Sequence, residues 1–418
     1  MNRLRQFWHY VEKVFDLPRR LRAVGDERSQ PQIPTPVLSA SLLLGTVLRI
    51  PSLLQLQSET ARPGWGRLLG WSGAISDDAF CYVLERYRLE DWRSVLVGVN
   101  RQLKINKAFE SAKISGLLVV SIDGNEQFKS RKRCCSQCSQ RRVEYKDEAG
   151  QIRSGVEYYH RQVYAQLHGP DFSVILDIEP IRPGEDEAGA AVRMLGRMRR
   201  LYGPRFFDVV TVDAWYASGS FIRAVQRLGW AVVSVLKQER FEVYQEATTL
   251  SHQQKPQSMR REDREVDLWE VKGLEFTEQP IGPVRVVLAQ EQWVEVQRQA
   301  GRTVRLPQQR HWRWLVSREL DQYGASVIWR IGHQRWGVEN HAFNELTQHY
   351  HLTHCLHHSP VAVVAWLLIL VLGFNLFELF ARIHGKLCRR GRTTLQEIAR
   401  QLDRALEAIA ELRPLWSG

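Results

Sequence analysis

Two apolar segments of the chain each lead directly into an aspartate. Leu117 to Ile122 is followed by Asp123, with Gly124 after it to release the turn, and Val209 to Val212 is followed by Asp213. Short apolar runs bounded in this way predict buried strands. We therefore expect both carboxylates at strand ends, held rigidly yet facing a cleft. Fixed oxygen ligands of this kind suit a hard divalent cation.

A third acidic residue, Glu339, lies in a stretch from Ile328 to Leu346 whose apolar spacing predicts a helix. Three converging carboxylates hold two divalent cations roughly 4 Å apart, which activate a hydroxyl and stabilise a leaving oxygen. Mg²⁺ suits such ligands, and Mn²⁺ is the expected substitute. Arg335 shares a helical face with Glu339 and is placed to grip an incoming phosphate. The alternative is an ion pair on a solvated helix.

The charge balance indicates a polyanionic partner. The chain of 418 residues has 58 Lys and Arg against 46 Asp and Glu, a net charge of +12. Nucleic acid fits this charge, and an acidic membrane surface is the alternative. No glycine-rich phosphate loop is found in the sequence, which argues against nucleotide hydrolysis.

The cysteines and the N-terminal residues predict a reducing cytoplasm. Six cysteines, three of them clustered, do not have the layout of a secreted disulfide scaffold. The first residues lack the apolar core of a signal peptide. Pro360 to Phe374 is uncharged, but a membrane span needs roughly 20 apolar residues, so we favour a buried helix over a transmembrane one.

Patterning predicts an α/β protein in which helices pack on a mixed sheet. Helical spacing dominates the start of the chain, strands alternate with helices from Leu117 onward, and a β-rich segment separates Asp213 from Glu339. We expect five parts: an all-helical N-terminal domain that binds DNA or serves packing (1–112), the first part of the core (113–237), a β-rich insertion (238–320), the second part of the core (321–385) and a C-terminal helical tail (386–418).

The basic stretch from Lys129 to Arg142 contains three clustered cysteines. A redox pair is one interpretation, and there are two others. Cys135 and Cys138 have the spacing of a structural Zn²⁺ knuckle, which His160 or His168 would complete. Alternatively the stretch is a loop that follows DNA phosphates. Its candidate DNA contacts are Lys129, Arg131, Lys132 and Arg133.

Three segments of the sequence resemble the motifs of the DDE transposases of bacterial insertion sequences. They are Ile122–Gly124, Val212–Tyr216 and Arg335–Asn340. The most similar branch has an RNase H-like core with a β-strand insertion and a Tyr-x2-Arg-x3-Glu-x6-Lys signature. The resemblance covers roughly residues 115 to 385. It implies an RNase H-like mixed sheet flanked by helices.

The resemblance also implies an activity. Asp123, Asp213 and Glu339 are then the catalytic, metal-binding residues, and Arg335 and His333 contact DNA near the cleavage site. The expected reaction is Mg²⁺-dependent cleavage at transposon ends, followed by strand transfer into target DNA. The expected partners are double-stranded DNA, as terminal repeats and as target, and a second copy of the chain on paired ends. An RNase H-like nuclease without strand transfer and an inactive DNA-binding relative are the alternatives.

Two positions depart from the signature. Gly332 stands where the family has Tyr, and Leu346 stands where it has Lys. Polar residues that follow, including His357 and His358, are candidates for the missing contacts or for the lining of a turn. Related transposases stack a flipped base on an aromatic side chain. The tryptophans of the insertion serve either this purpose or the core: Trp269, Trp293, Trp312 and Trp314.

Overall fold

The computed structural model describes residues 3–261, 263–276, 281–299, 302–336, 342–383 and 394–407. Contacts divide the chain into two compact units. The first unit contains residues 1–111, 124–186 and 339–418, and the second contains residues 112–123 and 187–338. Each unit therefore gathers stretches that are far apart in the sequence. The five predicted domain boundaries stay predictions.

The helices and strands of the described residues are as follows. The helices are α1 (Arg3–Phe15), α2 (Leu17–Arg22), α3 (Thr35–Val47), α4 (Leu53–Thr60), α5 (Pro63–Leu69), α6 (Asp77–Leu84), α7 (Leu89–Ile105), α8 (Glu187–Tyr202), α9 (Gly219–Arg227), α10 (Glu242–Ser251), α11 (Ala325–Gln334), α12 (Asn344–His349), α13 (Pro360–Ile383) and α14 (Leu395–Glu407). The strands are β1 (Val119–Ser130), β2 (Ser139–Lys146), β3 (Ile152–Gly169), β4 (Phe172–Pro180), β5 (Val209–Val212), β6 (Ala231–Val235), β7 (Gln257–Arg261), β8 (Arg264–Leu274), β9 (Val284–Gln299) and β10 (Arg302–Val316).

The first unit is mainly helical, and side-chain caps begin two of its helices, α4 and α6. The Ser76 hydroxyl accepts the Ala79 N–H at 3.2 Å, and Asp77 and Asp78 follow in the first turn of α6. Both features stabilise a helix N-terminus. The predicted helical N-terminal region is confirmed.

Helix α13 is the central helix of the first unit. It is long and apolar enough to cross a membrane, but 89% of its most apolar stretch is buried. It packs against α3, α7 and β4. Its buried Asn375 accepts the Ile175 N–H and donates to the Ile175 carbonyl, each at 2.8 Å. The helix is therefore a core helix, as the sequence analysis favours, and one amide fixes it to β4.

Strand β1 belongs to both units and corrects one expectation. Asp123 lies within this strand, which begins at Val119 and continues to Ser130. Gly124 therefore does not release a turn, because the strand has hydrogen-bonded neighbours on both sides, β3 and β5. Ladder hydrogen bonds override the local preference of a glycine. In the first unit, β3 also pairs antiparallel with β2 and with β4.

The second unit contains a mixed sheet in the order β1-β5-β6-β10-β9-β8-β7. The first three strands are parallel, and the others are antiparallel to their neighbours. Helices α8, α9, α10 and α11 belong to this unit. Its core includes Val209, Val233, Val287 and Trp314. The predicted α/β class, a mixed sheet with flanking helices, is confirmed.

Strands β7 to β10 lie in the segment that the sequence analysis predicts as a β-rich insertion. Val284 to Gln299 form one long strand, β9. Helix α10 precedes these strands. The last strand of the insertion, β10, pairs with β6 from Trp314 to Val316. The insertion thereby extends the sheet that carries Asp213.

Candidate active site

The pairing of β1 with β5 brings Asp123 and Asp213 together. The strands are parallel, and their partners are Val119 and Val209, Val120 and Val210, and Ser121 and Thr211. The same offset relates Asp123 to Asp213. Residues in register on neighbouring strands point to the same face, and such strands lie about 4.8 Å apart. The offset therefore predicts neighbouring carboxylates at the end of β5, and the negative charges of both act on Tyr216.

Asp213 is positioned by the turn that follows its strand. It caps the short 3-10 helix Ala214–Tyr216, and its Oδ1 accepts the Trp215 N–H at 2.8 Å. The Ser234 hydroxyl donates to the Asp213 carbonyl at 3.0 Å. The predicted location of Asp213 directly after a buried strand is confirmed. Backbone and side chain are both fixed, as a metal ligand requires.

Asp123 contacts the arginine that the sequence analysis placed beside the site. Arg335 Nη1 lies 3.4 Å from Asp123 Oδ2, and only 6% of the Arg335 side chain is exposed. Arg335 therefore does not lie on a solvated helix face. It is the C-cap of α11, and its guanidinium carbon lies 4.9 Å from the centre of the Trp336 ring. Glu339, the third expected carboxylate, lies outside the described residues.

A buried tyrosine and a further carboxylate lie at this site and were not predicted from the sequence. The Tyr216 hydroxyl donates to Glu187 Oε1 at 2.7 Å. Burial raises the pKa of Tyr216 well above its usual range, and the negative charges of Glu187, Asp123 and Asp213 add to the rise. Tyr216 thus remains a neutral donor among three carboxylates. Only the position of Tyr216 in the motif Val212–Tyr216 could have indicated from the sequence that it belongs to the site. No sequence pattern pointed to Glu187.

A buried network on β9 holds the helix that carries Arg335. Glu291 Oε1 lies 2.5 Å from His333 Nε2 and accepts the Trp329 indole N–H at 2.7 Å, and Glu291 Oε2 accepts from Arg264 at 2.8 Å. Burial alone would raise the pKa of Glu291, but the hydrogen bonds and the charge of His333, with Trp329 and Arg264, lower it to about 2. His333 therefore anchors α11 to the insertion. Its contact with DNA stays a prediction.

The departure at Gly332 has a steric cause. A Cβ atom built on Gly332 would overlap the indole ring of Trp314, which is 1% exposed. No larger residue fits while Trp314 fills that space. The second departure, Leu346, lies on α12 of the first unit and is fully buried. Both positions therefore contribute packing rather than polar groups.

The tryptophans of the insertion have partners within the second unit. The rings of Trp312 and Trp314 stack at 6.0 Å and both pack against His333. The guanidinium carbons of Arg264 and Arg310 lie 4.4 and 5.7 Å from the centre of the Trp293 ring, and the Trp269 N–H donates to the Gln254 carbonyl at 3.3 Å. By contrast, Trp215, two residues after Asp213, is 74% exposed.

The basic, cysteine-bearing stretch lies in the first unit. Lys129, Arg131, Lys132 and Arg133 are exposed, and Arg131 lies 3.9 Å from the centre of the Tyr145 ring. Their role as DNA contacts stays a prediction. His160 lies beside Cys135 and Cys138, and His358 joins them. His168 instead contacts the Ser173 hydroxyl at 2.9 Å.

Comparison with known families agrees with the resemblance seen in the sequence. The family described as "Transposase DDE domain" matches residues 176–376. This match confirms the resemblance to the DDE transposases. Asp213 and Arg335 lie inside the matched range, whereas Asp123 precedes it.

One solved structure that resembles the chain is the cryo-EM structure of the piggyBac transposase synaptic complex with hairpin DNA. The two share 11% sequence identity at a TM-score of 0.43, with 97% of this chain and 80% of that chain covered. No curated protein matches the chain.

Substitution of Gly332 tests the packing that replaces the signature tyrosine. We expect Gly332→Ala to lower the free energy of unfolding by roughly 1–3 kcal/mol, because Trp314 must move out of a packed core. The matched control is Gly196→Ala on α8, where a Cβ meets nothing within 4 Å. That change should raise stability by roughly 0.5–1 kcal/mol, since alanine favours a helix over glycine. Denaturant unfolding measures both, and a neutral Gly332→Ala would contradict the packing argument.

The lowered pKa of Glu291 predicts a specific loss of stability in acid. A carboxyl group whose pKa falls from the usual 4.5 to about 2 on folding stabilises the native state above pH 4.5. This contribution, roughly 3 kcal/mol, is lost as pH falls through that window, because the unfolded chain binds the proton first. Glu291→Gln should therefore flatten the dependence of unfolding free energy on pH between about 4.5 and 2. Glu295→Gln, on the exposed part of β9, should keep the wild-type slope.

Proposed function

We propose that the chain is a DNA transposase in which Asp123, Asp213 and Glu339 hold divalent metal ions. It cleaves DNA at transposon ends and transfers the cut strand into target DNA. The observation that carries this proposal is the parallel register of β1 and β5, whose offset also relates Asp123 to Asp213, in a chain that matches the transposase DDE family over residues 176–376. We further propose that it acts in the cytoplasm on paired DNA ends, as a homodimer.

The residues at the site fit a hard divalent cation. Asp123 lies on β1 and Asp213 directly follows the neighbouring strand β5, so both provide carboxylate oxygen donors. Bound Mg²⁺, or Mn²⁺ in its place, supplies the Lewis acidity that stabilises the attacking and leaving oxygens. Glu187 provides a further carboxylate that faces Tyr216.

Arg335 is the residue best placed to act on the DNA phosphate. Its guanidinium group is buried and already contacts Asp123. In this proposal it orients the scissile phosphate beside the carboxylates, since a planar guanidinium binds phosphate in a fixed direction. The exposed Arg131, Lys132 and Arg133 bind the DNA backbone without reading its sequence.

Cleavage of DNA that carries the ends of the element tests the proposal. With Mg²⁺ or Mn²⁺ we expect cuts at the element boundary, and we expect Asp123→Asn or Asp213→Asn to reduce the rate by roughly 100-fold or more. Each change keeps the side-chain volume and removes the charge that holds the metal. The matched control is Asp263→Asn, in the exposed turn between β7 and β8, which should cut at the wild-type rate.

The products distinguish the proposal from its alternatives. Joined products with a target plasmid indicate strand transfer, whereas cuts without joining indicate a nuclease. Binding of the ends without cutting in the wild-type protein would identify an inactive DNA-binding relative. Equal activity in the wild type and both aspartate variants would refute the assignment of the site.

The exposed Trp215 gives a second test of how DNA reaches the carboxylates. Its backbone N–H is fixed on Asp213 while its ring faces solvent. Stacking of a base on an aromatic side chain contributes roughly 1–3 kcal/mol. We therefore expect Trp215→Ala to weaken binding of end-bearing DNA by roughly 5-fold or more, while Trp215→Phe retains most of the affinity. Fluorescence anisotropy measures the binding, and equal affinity of the two variants would exclude stacking.

A further inference from the structure

Four metal-ligating side chains converge in the first unit, outside the transposase carboxylates. They are Cys135, Cys138, His160 and His358, and their ligand atoms all lie within 4.8 Å of one another. The two cysteines lie between β1 and β2, His160 lies on β3, and His358 lies just before α13. His160 is separated from His358 by 198 residues of sequence, so only the fold brings them together.

The distances among these atoms approach those of a tetrahedral zinc site. Zn–S bonds of about 2.3 Å and Zn–N bonds of about 2.0–2.1 Å imply edges of about 3.8 Å between sulfurs, about 3.6 Å between sulfur and nitrogen, and about 3.3 Å between nitrogens. The two sulfurs are 3.8 Å apart. His160 Nε2 lies 3.5 Å from Cys135 Sγ and 3.4 Å from Cys138 Sγ. His358 Nε2 lies 3.1 Å from Cys138 Sγ and 3.1 Å from His160 Nε2.

The local backbone supports ligation by the cysteines. The Cys135 N–H points to Cys138 Sγ at 3.3 Å, and the Cys138 N–H donates to the Cys135 carbonyl at 3.1 Å. A tight turn of this kind directs both sulfurs to one point, and an N–H bond to sulfur stabilises the thiolate form. The sulfurs are not joined in a disulfide, because that bond would need about 2.05 Å.

The histidines are held by their surroundings. His160 is only 4% exposed on its strand. The backbone next to His358 is held by His357, whose Nε2 lies 2.6 Å from Glu85 Oε1 at the end of α6. Preformed ligands of this kind lower the ordering cost of binding a metal.

We propose that Cys135, Cys138, His160 and His358 bind one structural Zn²⁺ ion. Two thiolates and two neutral imidazoles suit zinc, and four protein ligands leave no open position for a catalytic water. The ion links the turn after β1, strand β3 and the start of the core helix α13. It thereby fixes the exposed basic turn that carries Arg131, Lys132 and Arg133. The site does not depend on the proposed transposase activity.

Metal analysis of the purified full-length chain tests the site. After exhaustive dialysis we expect roughly one zinc ion per chain in the wild type and roughly none in Cys135→Ser or His358→Ala. The matched controls are Cys134→Ser and His354→Ala, both at exposed positions close to the ligands in sequence. Both controls should keep the metal, because neither side chain belongs to the cluster.

Two measurements on the wild-type chain keep the test decisive if the ligand variants fail to fold. Replacement of the metal by Co²⁺ should give the visible absorption of a tetrahedral ion together with a thiolate charge-transfer band. Removal of the metal by a chelator should speed tryptic cleavage at Arg131, Lys132 and Arg133. Absence of bound metal, a Co²⁺ spectrum without thiolate bands, or equal zinc loss in the Cys134→Ser control would each overturn the proposal.

Discussion

The parallel pairing of β1 with β5 is the constraint on which the candidate active site depends. The residues that set this register, Val119, Val120, Val209 and Val210, are at most 1% exposed. A slip of one residue would turn the carboxylate of Asp123 to the other face of the sheet. Burial of apolar side chains on both faces makes such a slip costly. The hydrophobic core thus fixes the relation between two acidic groups that contribute nothing to it.

The position of Arg335 depends on a second buried interaction, centred on Glu291. An ionised carboxylate is stable in a protein interior only when it is paired and hydrogen-bonded. Glu291 meets this condition through His333, Trp329 and Arg264. Because two of these partners lie on α11, the insertion holds the helix that ends at Arg335. The same packing explains why glycine replaces tyrosine in the family signature, since Trp314 occupies the space.

The two units carry ligand sets of different chemical character. The second unit has carboxylates, which suit hard cations that exchange water and substrate. The first unit has two cysteine sulfurs and two imidazoles that converge on one site, and four protein ligands of this kind suit a structural ion. The first unit also relies on polar contacts in its core, where Asn375 satisfies both backbone groups of Ile175. A buried amide that meets all its partners specifies one packing of the helix on the strand.

The sequence by itself determined the apolar strand segments, the two aspartates next to them, the main helices and the two cysteines of the proposed metal site. These depend on local patterns of two, three or four residues, which a chain shows before it folds. Only the tertiary structure decided that β1 continues past Asp123, that Tyr216 meets Glu187, and that His358 joins Cys135. Each of these depends on partners far away in the chain, and neither periodicity nor spacing encodes which distant segments meet. Burial then decides the chemistry, because it sets the pKa of Glu291 and the neutrality of Tyr216.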